Sequence, residues 1–316
     1  MRKWTTTLFF LTLLALFPNP IFSQSPNAAT SPDTATEARV SLTLVYLNDF
    51  HGYDPMRLAR MAAAIKTIRQ DSPNVILLNA GDAFTRGPYD KLFHGELEFA
   101  AFNAMGTDAF TLGNNEFKAT GDARAIAFLN QRIRQARFPV LAANVTERNS
   151  GRLIGGTKPY VILDRGGLRV AIIGVTSQTP GSKLAEKAYR FSDEIKAAKA
   201  VYAQAAEEAD IVIALTHIGI MRDQELASRV PGLAAIVGGH SHTLLTEPYV
   251  KDGVPIVQAG YSGAFLGTLT LTFKKDGARW ARDSFRGSLL SVDDYSADPD
   301  TQTLVDGFLR EKPKKK

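Results

Sequence analysis

Four of the chain's five histidines stand just after apolar runs: His51 in NDFHG, His217 in LTHIG, and His240 and His242 in GGHSH. Asp49 beside His51, Asp82 in NAGDAF and Asn114 in LGNNEF occupy positions of the same kind. Each has an ordinary explanation when taken alone. A histidine after a strand is usually a hydrogen-bonded residue, Gly-Asp is a common turn, and His-x-His can be two residues on one strand face. Together they put imidazole, carboxylate and amide groups at successive strand exits, a donor set that suits Zn²⁺, Mn²⁺, Fe or Co²⁺ better than Ca²⁺ or Mg²⁺. Gly238 and Gly239 permit close backbone approach. If the strand ends between His240 and His242, the pair can serve two metals. His94, after Lys91-Leu92-Phe93 in a predicted helix, reads as structural.

Ligands at strand exits need a sheet that brings those exits to one edge, where α/β folds bind their ligands. The pattern supplies one. SLTLVYL precedes a helix over 56–69, NVILLNA a helix over 90–104, and DAFTL a helix over 123–136, with FPVLAANV as a further strand. YVILD and LRVAIIGV flank Arg165-Gly166-Gly167, a hairpin signal. A helix over 193–208, DIVIALT, a helix over 223–228 and AAIVGG follow, then PIVQAG and GTLTLTF as sheet strands. This alternation predicts a layered α/β domain over 40–290 with two internally related halves.

The composition, 316 residues with 45% hydrophobic and 22% charged, is that of a globular protein with a sizeable core. Arg2 and Lys3, the apolar run 8–17 and the small-residue site Ser23-Gln24-Ser25 predict a signal peptide over 1–25. An uncleaved anchor is disfavoured, because the run is shorter than the roughly 20 residues that span a bilayer. Residues 26–39 read as a flexible linker, and 291–316 as a C-terminal extension with a basic tail. Of the net charge of +5, Arg2 and Lys3 supply two positive charges and Lys312, Lys314, Lys315 and Lys316 four, so the body carries −1. That balance argues against a nucleic-acid partner. With no cysteine in the chain, disulfides and thiolate ligands are excluded. Asn144-Val145-Thr146 fits a glycosylation acceptor.

NDFHG, GDAFTRG, GNNEF, LTHIG and GGHSH, in that order, resemble the calcineurin-like metallophosphoesterases, in particular their exported 5′-nucleotidase branch; QAGYSGAFLG is similar to that family's final sheet segment. The resemblance implies a four-layer αββα sandwich, two divalent metal ions, and hydrolysis of phosphate esters by a metal-bound hydroxide. It implies that Asp49, His51 and His242 hold one metal, that Asn114, His217 and His240 hold the other, and that Asp82 bridges them. The implied substrate is a small phosphorylated molecule, a nucleotide or related phosphomonoester, and the implied location is periplasmic or extracellular.

Two departures bear on function. Where the family reads GNHEFD, with a catalytic His and Asp, this chain has Asn115 and Lys118. Asn115 offers a neutral hydrogen bond in place of an imidazole, and Lys118 offers positive charge for substrate. The separate C-terminal domain that stacks the base in two-domain nucleotidases also has no counterpart in this sequence, which leaves that role to a separately encoded partner, or to Phe84, Phe117 or Tyr261 as aromatic faces. Arg86 is a further candidate for the substrate phosphate. A metal- and anion-binding relative without turnover, and a thiosulfohydrolase-like enzyme, stand as alternatives.

Overall fold

The structure is a computed structural model that describes residues 38–118 and 124–310. The expected signal peptide, most of the linker and the four terminal lysines lie outside the described residues.

In chain order, β1 (Arg39–Leu47) leads to α1 (Met56–Asp71), β2 (Val75–Asn79), α2 (Asp90–Phe93), α3 (Glu96–Met105), β3 (Ala109–Thr111), α4 (Ala125–Gln135), β4 (Val140–Leu141), β5 (Val145–Glu147) and β6 (Thr157–Lys158). Next come β7 (Tyr160–Arg165), β8 (Leu168–Thr176), α5 (Lys183–Ala188), β9 (Tyr189–Phe191), α6 (Glu194–Glu208), β10 (Ile211–His217) and α7 (Ile220–Arg229). The chain closes with β11 (Ala235–Val237), β12 (Tyr249–Lys251), β13 (Val254–Val257), β14 (Phe265–Asp276), β15 (Arg279–Ser291) and α8 (Pro299–Arg310).

Seven strands form one sheet in the order β15-β14-β1-β2-β3-β4-β6, and six form a second, β12-β13-β11-β10-β8-β7. Successive strand residues point to opposite faces, so a strand buried on both sides reads as an unbroken apolar run. Leu42, Leu44 and Tyr46 accordingly face Ile172, Ile213 and Leu215 in a core between the sheets. Val45, Leu47 and Leu77 turn the other way, onto Leu58 and Met61 of α1 and Phe99 and Phe102 of α3. Beyond the second sheet, Ile173 and Val212 pack on Ile195 and Ala198 of α6. Each such side chain stabilises the fold by roughly 1.5–3 kcal/mol, and the layers follow the expected αββα order.

β1, β2 and β3 run parallel, as do β8, β10 and β11, so that within each sheet these strands end on the same edge. Gly166 and Gly167, both at positive φ, make the two-residue turn expected between β7 and β8.

Several elements differ from expectation. The helix over 90–104 is two helices, because His94 and Gly95 adopt φ of 44° and 81° and end α2. His94 stacks on Phe128 with ring centroids 3.7 Å apart, in keeping with a structural role. The strand expected from FPVLAANV is also split: β4 joins the first sheet and β5 pairs with β9. Between them Asn144 is buried; its amide donates to Thr176 O at 2.7 Å and its carbonyl accepts from Thr176 N at 3.0 Å. In the folded protein the asparagine of the glycosylation motif is therefore inaccessible. The sheet continues past GTLTLTF into β15, and α8 buries Val305 and sets Phe308 edge-on to Phe93 at 5.3 Å. No helix among the described residues is long and apolar enough to cross a membrane.

Candidate metal centre

The loops that follow β1 and β2 are tied together by backbone: Asp49 N donates to Gly81 O and His51 N to Asp82 O, each at 2.9 Å. Their residues are held in an unusual conformation. Asp49, His51, Asp82, His240 and His242 all lie in the left-handed region, with φ between 52° and 77°. For residues with a Cβ this costs on the order of 1–3 kcal/mol each, so the surroundings must over-determine it. Glu116 does part of this. Its buried carboxylate accepts from Asp82 N at 2.9 Å, Ala83 N at 2.7 Å and Gly113 N at 2.5 Å. Gly113 is required beside it, because a Cβ there would run into the Asp82 carboxylate.

The side chains so placed converge. His51 Nε2 and His242 Nε2 are 3.1 Å apart, and His242 Nε2 is 3.2 Å from Asp49 Oδ1. Asp82 Oδ2 lies 3.1 Å from His217 Nε2 and 3.8 Å from His51 Nε2. Asn114 Oδ1 faces His240 Nδ1 at 2.7 Å and His217 Nε2 at 3.3 Å. All seven sequence-derived candidates therefore meet at one place. In two overlapping groups, Asp49/His51/His242 and Asp49/Asp82/His217, the donor atoms all lie within 4.8 Å of one another. Asp49 is common to both groups.

The donor set fits divalent metal. Asp49 Oδ1 is buried with no hydrogen-bond donor, an expensive arrangement for a carboxylate oxygen. His217 Nδ1 donates to Ala80 O at 2.6 Å, which turns Nε2 toward Asp82; a backbone carbonyl on the far nitrogen is the usual way a ligating imidazole is oriented. Burial opposes protonation of His217, yet Asp82 and Asp49 outweigh it and lift its pKa to about 10. Burial likewise favours neutral Asp82, and the His217 charge overrides it, holding the carboxyl well below the usual range. In His51, burial prevails over the same carboxylates and lowers the pKa to about 4. The two carboxylates thus draw positive charge to a point ringed by imidazole nitrogens, a demand that a divalent cation meets.

Around this centre the remaining candidates separate. Arg86 is exposed, its backbone N–H donates to His51 O at 3.4 Å, and its positive charge acts on His51. Asn115 is buried and turned inward: its N–H donates to Asp82 Oδ1 at 2.7 Å and its amide to Asp82 Oδ2 at 2.5 Å. Lys118 lies against Gly181 in the loop after β8. Phe84 and Phe117 are fully buried and present no face, whereas Tyr261 is half exposed and stacks on His242 at 5.1 Å.

Sequence reasoning missed Glu116, Asn48, Gln258 and Tyr53. Asn48 donates to Asp49 Oδ2 at 2.7 Å and to Gly260 O at 2.6 Å. Gln258 accepts from Ser241 Oγ and Thr243 N and donates to Gly239 O, all between 3.0 and 3.3 Å. The signal was present for two of them. Asn48 and Glu116 are polar residues within two positions of candidate ligands.

Residues 42–244 match the family model described as calcineurin-like phosphoesterase. The chain is 30% identical to the trifunctional nucleotide phosphoesterase protein YfkN of Bacillus subtilis, over 89% of this chain and 21% of that one. It is 33% identical to the 5′-nucleotidase of Rattus norvegicus, over 70% of this chain and 41% of that one. It therefore spans between a fifth and about two fifths of the length of these relatives. The crystal structure of the calcineurin-like phosphoesterase YfkN from Bacillus subtilis superposes with a TM-score of 0.75 at 25% identity, covering 86% of this chain and 98% of that one.

Proposed function

This chain belongs to the calcineurin-like phosphoesterase family, and on that premise we propose that it is a metal-dependent hydrolase of phosphate esters, with nucleotides or related phosphomonoesters as substrates. The observation that carries the reading is the convergence of three carboxylate and amide residues and four imidazoles from loops of both sheets. The names of the Bacillus and rat relatives support nucleotides as the substrate class.

In this reading Asp49, His51 and His242 would hold one cation and Asn114, His217 and His240 a second, with Asp82 available to both. Two divalent cations, when bound, acidify an attacking water and neutralise charge on the phosphate. The chain's own groups do the rest. Arg86, exposed beside His51, is placed to pair its planar guanidinium with phosphate oxygens. Asn115 holds the Asp82 carboxylate through two hydrogen bonds and acts as a positioning residue. With that amide committed to Asp82, protonation of the leaving group falls to solvent, and esters of the more acidic alcohols react fastest. Export belongs to the same reading, supported by the charged start and the apolar run 8–17.

The mature chain loaded with Mn²⁺ is expected to hydrolyse at least one of AMP, a 2′,3′-cyclic nucleotide and p-nitrophenyl phosphate. Asp82→Ala is expected to lower kcat/KM at least a thousandfold, because it removes the carboxylate that lies 3.1 Å from His217 and 3.8 Å from His51. An inert metal-loaded wild type across that panel overturns the proposal.

A further inference from the structure

Two exposed tyrosines flank the candidate metal centre. Tyr261 is 51% exposed and lies nearly parallel to the His242 ring, at 15° and 5.1 Å. Tyr53 is 39% exposed and stands edge-on to Tyr261 at 6.2 Å and to His51 at 5.8 Å. Open aromatic rings are ordinary on mobile loops, but these loops are fastened. Ser262, at a φ of 60°, donates its N–H to Asp49 O at 2.8 Å. Arg57 donates to Ser262 O at 3.2 Å and to Asp293 at 3.1 Å, which ties the tyrosine loop to α1. Gly260 is held by Asn48 at 2.6 Å from the other side. The Tyr261 ring, on a fastened loop and stacked on His242, is therefore presented at reduced ordering cost, the condition under which an aromatic surface gives most in binding.

From this geometry we propose that Tyr261, backed by Tyr53, is the leaving-group subsite: it stacks the flat aromatic ring of the ester's alcohol, a nucleobase or an aryl group. The inference rests on the phosphoesterase reading for where the phosphate lies. With the phosphate at the imidazole cluster, the Tyr261 ring, stacked on His242 by one face and half exposed, is an aromatic surface beside the cluster for the rest of the ester. Every nucleobase has a face to offer, so the subsite selects aromatic over aliphatic esters and discriminates weakly between bases.

The test compares wild type, Tyr261→Ala and Tyr261→Phe in the metal-loaded chain. The first readout is the ratio of kcat/KM for AMP, or for p-nitrophenyl phosphate, to that for glycerol 2-phosphate; the second is binding of adenosine, which has no phosphate, by calorimetry. Stacking of one base is worth on the order of tenfold or more. The alanine variant is therefore expected to lower the ratio about tenfold and to abolish adenosine binding, while the phenylalanine variant keeps both. A fall for both aromatic esters assigns the subsite to any aromatic ring, and a fall for AMP alone assigns it to nucleosides. An unchanged ratio with unchanged adenosine binding in Tyr261→Ala overturns the proposal. If no ester is hydrolysed, the phosphoesterase reading fails by itself and the adenosine titration decides the subsite: Tyr261-dependent binding upholds it, and its absence overturns it.

Discussion

The two sheets supply the candidate centre in different ways. From the first sheet come Asp49, His51, Asp82 and Asn114, all buried, on loops whose backbones bond one another and share the Glu116 carboxylate. From the second come His217, buried at the end of β10, and the His240–His242 turn, which lies at the solvent side. Besides backbone bonds at Gly239 and Thr243, that turn is held by side chains: Gln258 beneath it, and the Asp49 carboxylate, which accepts from His240 N at 3.0 Å. Both halves carry left-handed residues, but in the first every donor is buried, whereas in the second only His217 is. The difference implies a rigid half that sets the positions of the donors and a more compliant half that faces solvent.

The largest effect should come from breaking the rigid half. Glu116→Ala strands three buried N–H groups, at Asp82, Ala83 and Gly113, in a place where they have no other acceptor among the described residues. An unsatisfied buried donor costs about 1–3 kcal/mol, so the variant should lose at least about 3 kcal/mol. Thermal melting should show a midpoint lower by several degrees even without metal. A midpoint within one degree of wild type would mean that the loops hold their shape without Glu116.

Breaking the compliant half should act on metal before it acts on the fold. Gln258→Ala removes the acceptor for Ser241 Oγ and Thr243 N and the donor to Gly239 O and Asp223. Residues that orient ligands are worth about 10- to 100-fold in metal affinity. A Mn²⁺ titration should weaken at least tenfold, and the melting midpoint of the metal-free protein should fall less than in Glu116→Ala. Equal losses in the two measurements would erase the proposed distinction between the halves.

This division also governs what could be read from the sequence. Asp49, His51, Asp82, Asn114, His217, His240 and His242 were legible because each follows an apolar run whose strand character is unmistakable, and parallel strands in a sheet must end on the same edge. Glu116 and Gln258 were not, because their importance lies in whose backbone they meet, and those partners are up to 34 residues away. The break at His94 was hidden inside a helical pattern, and β15 was hidden because Arg279, Arg282, Asp283 and Arg286 interrupt its apolar alternation on an edge strand. Asn115 was legible as a departure, but its inward turn onto Asp82 was not.

The smallest effect should appear beneath the first half, where its rigidity has an electrostatic cost. Glu98 of α3 is buried with Oε1 over Gly52, the residue after His51, and burial, reinforced by Asp90 against the opposing pull of Arg132, pushes its pKa up to about 7. In the second half the comparable buried acid, Asp223, receives Thr216 Oγ1 at 2.6 Å and Gln258 Nε2 at 3.3 Å. Among the described residues Glu98 receives a hydrogen bond from its own backbone N–H alone. A carboxyl whose pKa is higher folded than unfolded contributes stability that is complete below the unfolded value, near 4.5, and is lost as the pH rises through the folded value, near 7. Glu98→Gln has no proton to lose. Its melting midpoint should match wild type near pH 4.5 and exceed it by a few degrees at pH 8, with the gap opening across that interval. Buried acids that do not act on Glu98 titrate equally in both proteins and cancel in the difference; Asp90, which does, sharpens or blunts the gap without reversing it. A gap that stays constant from pH 4.5 to 8 would show that folding does not raise the Glu98 pKa, and that its burial under His51 carries no electrostatic cost.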